Sequence, residues 1–184
     1  MSYPKISIIT IAFNAEKTIE KTILSVCNQS YKNIEYILID GESTDSTLSI
    51  ANRYSEKIDI IVSEPDRGIS DAFNKGIIRS TGDLIFILSA DDYLINTDTL
   101  LLVAKFYVTN PNTDVVHANV LMFDEAKNSN VLSKPDPSLK SCYFGQPLKH
   151  GATFISKSAY KKYGLYDETY KYAMDYELVL RYIV

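Results

Sequence analysis

The chain predicts an α/β fold: a mostly parallel central sheet flanked by helices on both sides. Three observations carry that prediction. Short β-branched apolar runs alternate with segments of helical periodicity along most of the 184 residues, the pattern of repeated βαβ units. The run Leu84-Ile85-Phe86-Ile87-Leu88 is apolar at every position, as a strand covered on both faces must be. No internal repeat, low-complexity linker or composition shift divides the chain, so it reads as one domain.

The elements follow in order. Ile6, Ile8, Ile9 and Ile11 give a first strand, Lys5 to Ile11, and Ala12-Phe13-Asn14 turns the chain. Ile19, Ile23, Leu24, Val26 and Cys27 recur at helical spacing and predict a helix over about residues 15–28. A second apolar strand, Ile34 to Ile39, ends at Asp40-Gly41. The segment Glu42 to Ser46 is rich in capping residues and opens a helix over 46–54, with Asp45 as its cap. Ile58 to Val62 is a third strand. The polar turn Glu64-Pro65-Asp66-Arg67-Gly68 leads into a helix over 70–80, apolar at Ala72, Phe73, Ile77 and Ile78 and capped by Asp71. Thr81-Gly82-Asp83 stops it before the Leu84 to Leu88 strand. A helix over 98–108 ends ahead of Asn110-Pro111. Val115 to Phe123 reads as one strand, with His117 in a structural place, paired with a short strand near Val131 across the turn Glu125 to Asn130. The chain stops at Tyr182-Ile183-Val184, within a helical pattern and without a cap, which predicts truncation at the C-terminus.

Composition excludes several functions. Hydrophobic residues make up 46%, enough for a core, and the formal charge is −4 with no run of Lys or Arg, which argues against nucleic acid as a partner. Cys27 and Cys142 are far apart and lack metal-ligand spacing, so a disulfide scaffold is not expected. The N-terminus carries no signal peptide and no stretch is long and apolar enough to span a bilayer. A cytoplasmic protein is expected, with peripheral attachment to a membrane and homodimerisation left open. There is no Gly-x-Gly-x-x-Gly after the first strand and no Gly-Lys-Ser/Thr phosphate loop, which disfavours dinucleotide dehydrogenases and P-loop enzymes.

The chemistry-bearing residues gather at strand ends. Thr10 to Asn14, Asp40 to Asp45, Glu64 to Gly68 and Ser89 to Asp92 each fall at or just past an apolar strand, and in a doubly wound sheet those ends share one rim. Asp91 and Asp92 are adjacent anions there, and a divalent cation bridging to a phosphorylated ligand would relieve their repulsion; a polar turn or helix cap is the plainer reading. Hard oxygen donors suit Mg2+ or Mn2+ rather than zinc. A nucleoside diphosphate is the ligand such a rim suits, with Asp40 able to accept hydrogen bonds from a base edge.

Five segments in order, Ile9-Thr10-Ile11-Ala12-Phe13-Asn14, Ile39-Asp40-Gly41-Glu42-Ser43-Thr44-Asp45, Glu64-Pro65-Asp66-Arg67-Gly68 continuing to Asn74-Lys75-Gly76, Thr81-Gly82-Asp83 and Ser89-Ala90-Asp91-Asp92, resemble family 2 glycosyltransferases, particularly those of bacterial polysaccharide assembly. The resemblance implies a GT-A fold, a nucleotide-sugar donor (a UDP-sugar is favoured), Mn2+ or Mg2+, inversion at the anomeric carbon and a glycan or lipid-linked acceptor, with the protein at the inner face of a membrane in the latter case. It implies a nucleotide-binding half over 1–92 and an acceptor-side half over 93–184. Carried over residue by residue, Thr10, Ala12, Phe13 and Asn14 line the nucleoside, Asp40 binds the base, and Asp66, Arg67 and Asn74 lie on the donor side. Ala90, Asp91 and Asp92 reach the diphosphate and sugar, with Asp91 the metal ligand. Ser89 stands where the family's usual Asp-x-Asp has its first Asp, which leaves the metal to Asp91, phosphates and water. Gly145 to Phe154 resembles the substrate loop and the strand after it, bringing His150 and Gly151, and Ala173-Met174-Asp175-Tyr176-Glu177-Leu178 resembles the stretch that bears the catalytic base, here Asp175.

Residue chemistry alone leaves other readings. Asp175 also suits a helix cap, Arg181 a helix anchor, and Tyr160, Tyr163, Tyr166, Tyr170, Tyr172 and Tyr176 either a sugar groove or ordinary packing. A donor-binding or scaffold module without turnover is a second function. A nucleotidyltransferase is a third, although Phe13-Asn14-Ala15-Glu16 is not the Gly-rich basic loop that it needs.

Overall fold

A six-stranded sheet centres the computed structural model, which describes residues 2–124, 128–134 and 148–183. Cys142 and the start of the expected substrate loop, Gly145-Gln146-Pro147, lie outside the described residues, as does the first half of the turn expected over Glu125 to Asn130. Strands β1 (Ile6–Ala12), β2 (Ile34–Asp40), β3 (Ile60–Ser63) and β4 (Leu84–Ser89) run parallel in the order β3-β2-β1-β4. The sheet continues through β8 (Thr153–Ser156) to β5 (Val115–His117), with β8 antiparallel to both neighbours. The expected α/β architecture is therefore present, mostly parallel with one reversed strand.

Register brings the chemistry to one edge. Ala12 pairs with Asp40, Asp40 with Ser63, and Ile11 with Ser89, so the polar strand ends fall in line along the C-terminal rim. The opposite rim is pinned by Glu35. Its carboxylate accepts bonds from Ser7 Oγ (2.5 Å), the Thr81 N–H (2.7 Å), Thr81 Oγ1 (2.5 Å) and Lys5 Nζ (3.1 Å), which ties β1, β2 and the turn before β4 together. Burial alone would raise the Glu35 pKa, but those donors outweigh it and hold it at about 2.

Alternate strand residues enter opposite layers. Ile6, Ile8, Tyr36, Leu38, Leu84, Phe86 and Leu88 pack with α1 (Ile19–Cys27), α2 (Thr47–Asn52) and α4 (Thr99–Thr109). Ile9, Ile37, Ile39, Ile85, Ile87 and Ile155 pack with α3 (Ile69–Arg79), α5 (Lys157–Tyr163) and α6 (Met174–Ile183). Helices thus cover both faces, as an apolar-on-both-sides strand requires.

One expectation is corrected. Val115 to Phe123 is not a single strand: β5 stays in the central sheet, while β6 (Val120–Asp124) leaves it and pairs antiparallel with β7 (Ser129–Ser133). The break falls at Ala118-Asn119, where the Ala118 N–H donates to Ala152 O at 2.9 Å. An unbroken apolar run reports strand propensity but not which sheet each half joins. The first helix also starts later than expected, at Ile19, because Ala15 to Thr18 form a turn closed by Ala15 O.

Candidate active site

The rim carries two hollows. The first, of about 310 Å³, is lined by Ile11, Ala12, Phe13, Gly41, Asp66 and Gly68 among others. Phe13 is exposed beside it, and a Cβ on Gly41 would stand 2.5 Å from Asp66 Oδ2, so glycine there lets the β2 end approach the Asp66 turn. Asp66 shapes that turn by accepting the Gly68 N–H at 2.9 Å.

Two expected donor residues brace this hollow instead of lining it. Asp40 is fully buried and accepts the Ser43 N–H (3.1 Å), Ser43 Oγ (2.5 Å) and Ser63 Oγ (2.6 Å). Asn14, with a left-handed φ of 48°, accepts the Thr44 N–H at 2.9 Å and donates its own N–H to Ser43 Oγ at 2.9 Å. Asp45 is not the cap of α2, which is Ser46, but accepts the N–H groups of Thr47 (2.9 Å) and Glu16 (3.1 Å) and so ties the α2 start to the α1 turn. The loop after β2 is thereby fixed in front of the β1 end.

The second hollow, of about 540 Å³, brings together Asp91, Asp92, His150, Gly151 and Asp175, with Lys149 and Asn119 at its wall. Asp91 and Asp92 follow β4 and are exposed. They are held by Thr22 on α1, whose hydroxyl reaches Ala90 O (2.9 Å) and Asp92 O (2.6 Å), while Ala90 itself is buried. A Cβ on Gly151 would lie 2.9 Å from Asp92 Oδ2, so the backbone of that turn sits directly on the carboxylate. Desolvation, and then the charge of Asp91, push the Asp92 pKa up.

Asp175 is the second residue of α6, not its cap, and accepts the Tyr176 N–H at 3.0 Å. Ala173 ahead of it has a left-handed φ of 58°, which turns the chain into the helix beside the cleft. His150 stacks on Phe73 with centroids 4.8 Å apart and planes inclined by 22°. Its Nε2 is buried and has no hydrogen-bond partner among the described residues. Burial pushes its pKa down and the charge of Asp175 partly offsets that, so the two side chains share one field.

Other expected donor residues lie elsewhere. Thr10 is fully buried and bonds to the Tyr36 hydroxyl at 3.1 Å, because it points into the α1 layer and not along the rim. Asn74 is buried against the segment before α6: it donates to Tyr166 O (2.9 Å) and accepts the Tyr166 N–H (3.0 Å). Arg67 is mostly exposed and bridges Asp71 (3.1 Å) and Glu168 (2.7 Å). Asp71 also meets Lys75 at 3.2 Å and accepts the Arg67 N–H at 2.9 Å; its donors overcome burial and hold its pKa at about 2. Tyr160 and Tyr166 are core residues, whereas Tyr170 and Tyr172 are exposed. Arg181 anchors α6 as expected, donating to Tyr163 O (2.5 Å) and Leu165 O (2.7 Å).

Residues 7–170 match glycosyl transferase family 2. The chain belongs to that family. The PGL/p-HBAD biosynthesis glycosyltransferase of Mycobacterium bovis (strain BCG / Pasteur 1173P2) is 30% identical over 184 residues, covering 98% of this chain and 70% of its own length. The putative glycosyltransferase EpsE of Bacillus subtilis (strain 168) is 34% identical over 167 residues, 87% of this chain and 59% of EpsE. Among solved structures, the mannosyltransferase PcManGT from Pyrobaculum calidifontis, in complex with GDP-Man and Mn2+, superposes with a TM-score of 0.74 at 19% identity. S. aureus TarS 1-349 in complex with UDP gives 0.75 at 21% identity. These two likenesses establish the GT-A fold; they cover 97% and 96% of this chain but 51% and 54% of theirs, so the chain spans about half of each.

The chemistry of the Asp91–Asp92 pair is compatible with a divalent cation. Among the described residues no three His, Cys, Asp or Glu side chains form a closed cage. Two adjacent carboxylates that repel each other offer a partial shell of hard oxygens, which suits a cation that arrives with its phosphate ligands. No helix among the described residues is long and apolar enough to cross a membrane.

Proposed function

We propose that the chain transfers a sugar from a nucleoside-diphosphate donor, with a UDP-sugar favoured, to an acceptor hydroxyl with inversion, in the assembly of a surface polysaccharide or lipid-linked glycan. The observation that carries this reading is the convergence of Asp91, Asp92, Asp175 and His150 on one cleft beside the Phe13–Gly41–Asp66 hollow. That spacing suits a ligand with a flat base at one end and a charged, hydroxylated group at the other.

The nucleoside lies against Ala12 and Phe13, on a floor that Asp40 and Asn14 hold in shape, and Asp66 bounds it, while Arg67 keeps its bridge between Asp71 and Glu168. Mn2+ or Mg2+ held by Asp91 would neutralise charge on the departing diphosphate. Asp92, under Gly151, faces the donor sugar. Asp175 takes the proton of the acceptor hydroxyl as its oxygen attacks the anomeric carbon; the bond from that carbon to the diphosphate oxygen breaks, and the nucleoside diphosphate leaves with the electron pair. Opposite-side attack in one displacement inverts the centre and needs no covalent enzyme intermediate. His150 contacts the substrate at the cleft floor. Residues 1–92 supply the donor side and 93–184 the acceptor side.

A panel of UDP-, GDP- and dTDP-sugars with Mn2+ or Mg2+ tests this, read by thermal shift and by release of nucleoside diphosphate. A metal-dependent shift with one base class and turnover with one sugar are expected. No shift with any nucleotide, with or without metal, overturns the reading, and binding without turnover replaces it with a donor-binding module.

A further inference from the structure

His117 ends β5, in a groove that it shares with Asp114, Leu148 and Tyr182. Its Nε2 lies 2.8 Å from the Lys149 nitrogen and accepts that N–H. The bond fixes the ring's state. A nitrogen that accepts cannot carry a proton, so the proton of the neutral ring is on Nδ1. Doubly protonated imidazole has no acceptor, and Nε2–H would face the Lys149 N–H head on. Nδ1 is buried without a hydrogen-bond partner among the described residues. Burial also pushes the His117 pKa down from 6.5, and the Ala118 and Lys149 backbones offset only part of that; the donor here is the Lys149 N–H, which a protonated Nε2 cannot accept.

What the bond holds is the turn that carries His150 and Gly151. Lys149 begins it: Lys149 O accepts the Ala152 N–H (3.1 Å) and Thr153 Oγ1 (2.7 Å), and Ala152 O accepts the Ala118 N–H (2.9 Å). The 3-10 turn His150–Ala152 therefore hangs between β5 and β8, and its entry depends on the His117 ring. Lys149 directly precedes His150, which stacks on Phe73, and Gly151, which lies against Asp92, so the seat of Lys149 is the entry to both contacts.

The geometry points to His117 as a positioning residue of the transfer site, seating the His150–Gly151 turn only while its imidazole is neutral and releasing it on protonation. This inference rests on the transfer reading for its catalytic consequence but not for its structural one. Among the described residues, the titratable groups around the ring are Asp114 and Tyr182, which share its groove, and Lys149 itself. His150, Asp92 and Asp175 lie across the turn. His150 is the other of the two histidines in the chain, so a substitution at 117 separates the two.

The test uses the full chain. Amide-resolved hydrogen exchange of Lys149 between pH 5 and 8, corrected for intrinsic rates, needs no donor. Protection is expected to fall as pH drops below about 6.5, to be absent throughout in His117→Ala, and to be retained without that pH dependence in His117→Gln, whose amide oxygen can accept and does not titrate. Release of UDP from UDP-GlcNAc, or of GDP from GDP-mannose, with Mn2+ is expected to drop in kcat by roughly ten- to a hundredfold in His117→Ala, with donor KM little changed. His117→Gln restores most of it and flattens the acid limb. Lys149 protection that is the same in all three proteins and at every pH overturns the inference, whether or not a donor is turned over; an acid limb unchanged in His117→Gln overturns its catalytic part.

Discussion

At the scale of single residues, the site depends on side chains that touch ligand and on others that touch only those. Asp175 is in the first group on our reading. Asp175→Asn keeps size and removes the proton acceptor, so kcat is expected to fall by about 10²–10⁴ while donor binding by thermal shift is kept; residual turnover near the parent level assigns the base elsewhere. Gly151→Ala tests the contact beneath Asp92. The added Cβ would stand 2.9 Å from Asp92 Oδ2, closer than the pair tolerates, and Asp92 must swing. Turnover is expected to drop by about tenfold or more with an unchanged circular dichroism spectrum. The pairs legible in the sequence were those whose chemistry lies in adjacent residues, Asp91-Asp92 above all. Thr10 and Asn74 were not legible as structural residues, because their partners Tyr36 and Tyr166 are 26 and 92 positions away. His117 was legible as structural, but its partner was not, because that partner is a backbone N–H 32 positions on.

At the scale of elements, α3 joins the Asp66 turn to the segment that leads into α6, which on the proposed reading are the nucleotide side and the base. Its Gly68 start follows the Asp66 turn, its Asp71 gathers Arg67 and Lys75, and its Asn74 holds both backbone groups of Tyr166, a few residues ahead of Asp175. Gly76 allows the close approach: a Cβ there would come 2.3 Å from Ile9 Cγ2 on β1. Asn74→Ala leaves a buried N–H and C=O without partners, which costs about 1–3 kcal/mol, read as a lower urea midpoint with an unchanged slope. Because the clamp positions α6, kcat is expected to fall with it; a stability loss that leaves kcat intact shows that α6 is placed by Arg181 alone. Strand and helix identities were legible because periodicity and caps are local. The division of Val115 to Phe123 between two sheets was not, since its cause is a hydrogen bond from Ala118 to Ala152.

For the whole molecule, both rims of the sheet are held by carboxylates kept ionised by hydrogen bonds, and this sets how the fold responds to acid. Glu35 at the N-terminal rim has a pKa of about 2 against an ordinary 4.5, and Asp71 about 2 against 3.8. In the unfolded chain these groups take up protons near their ordinary values, while the folded chain resists until about pH 2. Between those limits the unfolded state binds more protons, so stability falls as pH falls, and it is fully present above about 4.5. His117 and His150, partly buried with lowered pKa values, act in the same direction but earlier, since the unfolded chain protonates them below 6.5. The melting temperature is therefore expected to decline in two stages, below about pH 6.5 and again below about 4.5. Glu35→Gln tests the second stage. The amide keeps the shape but loses the charge that Lys5, Ser7 and Thr81 bind, so at pH 7 the melting temperature is expected to drop by on the order of 5 °C. That difference should shrink as pH falls from 4.5 towards 2, because the parent then loses the same charge. A difference that stays constant over that range would mean that Glu35 contributes through its shape and not its ionisation, and that the acid response of the fold is set elsewhere.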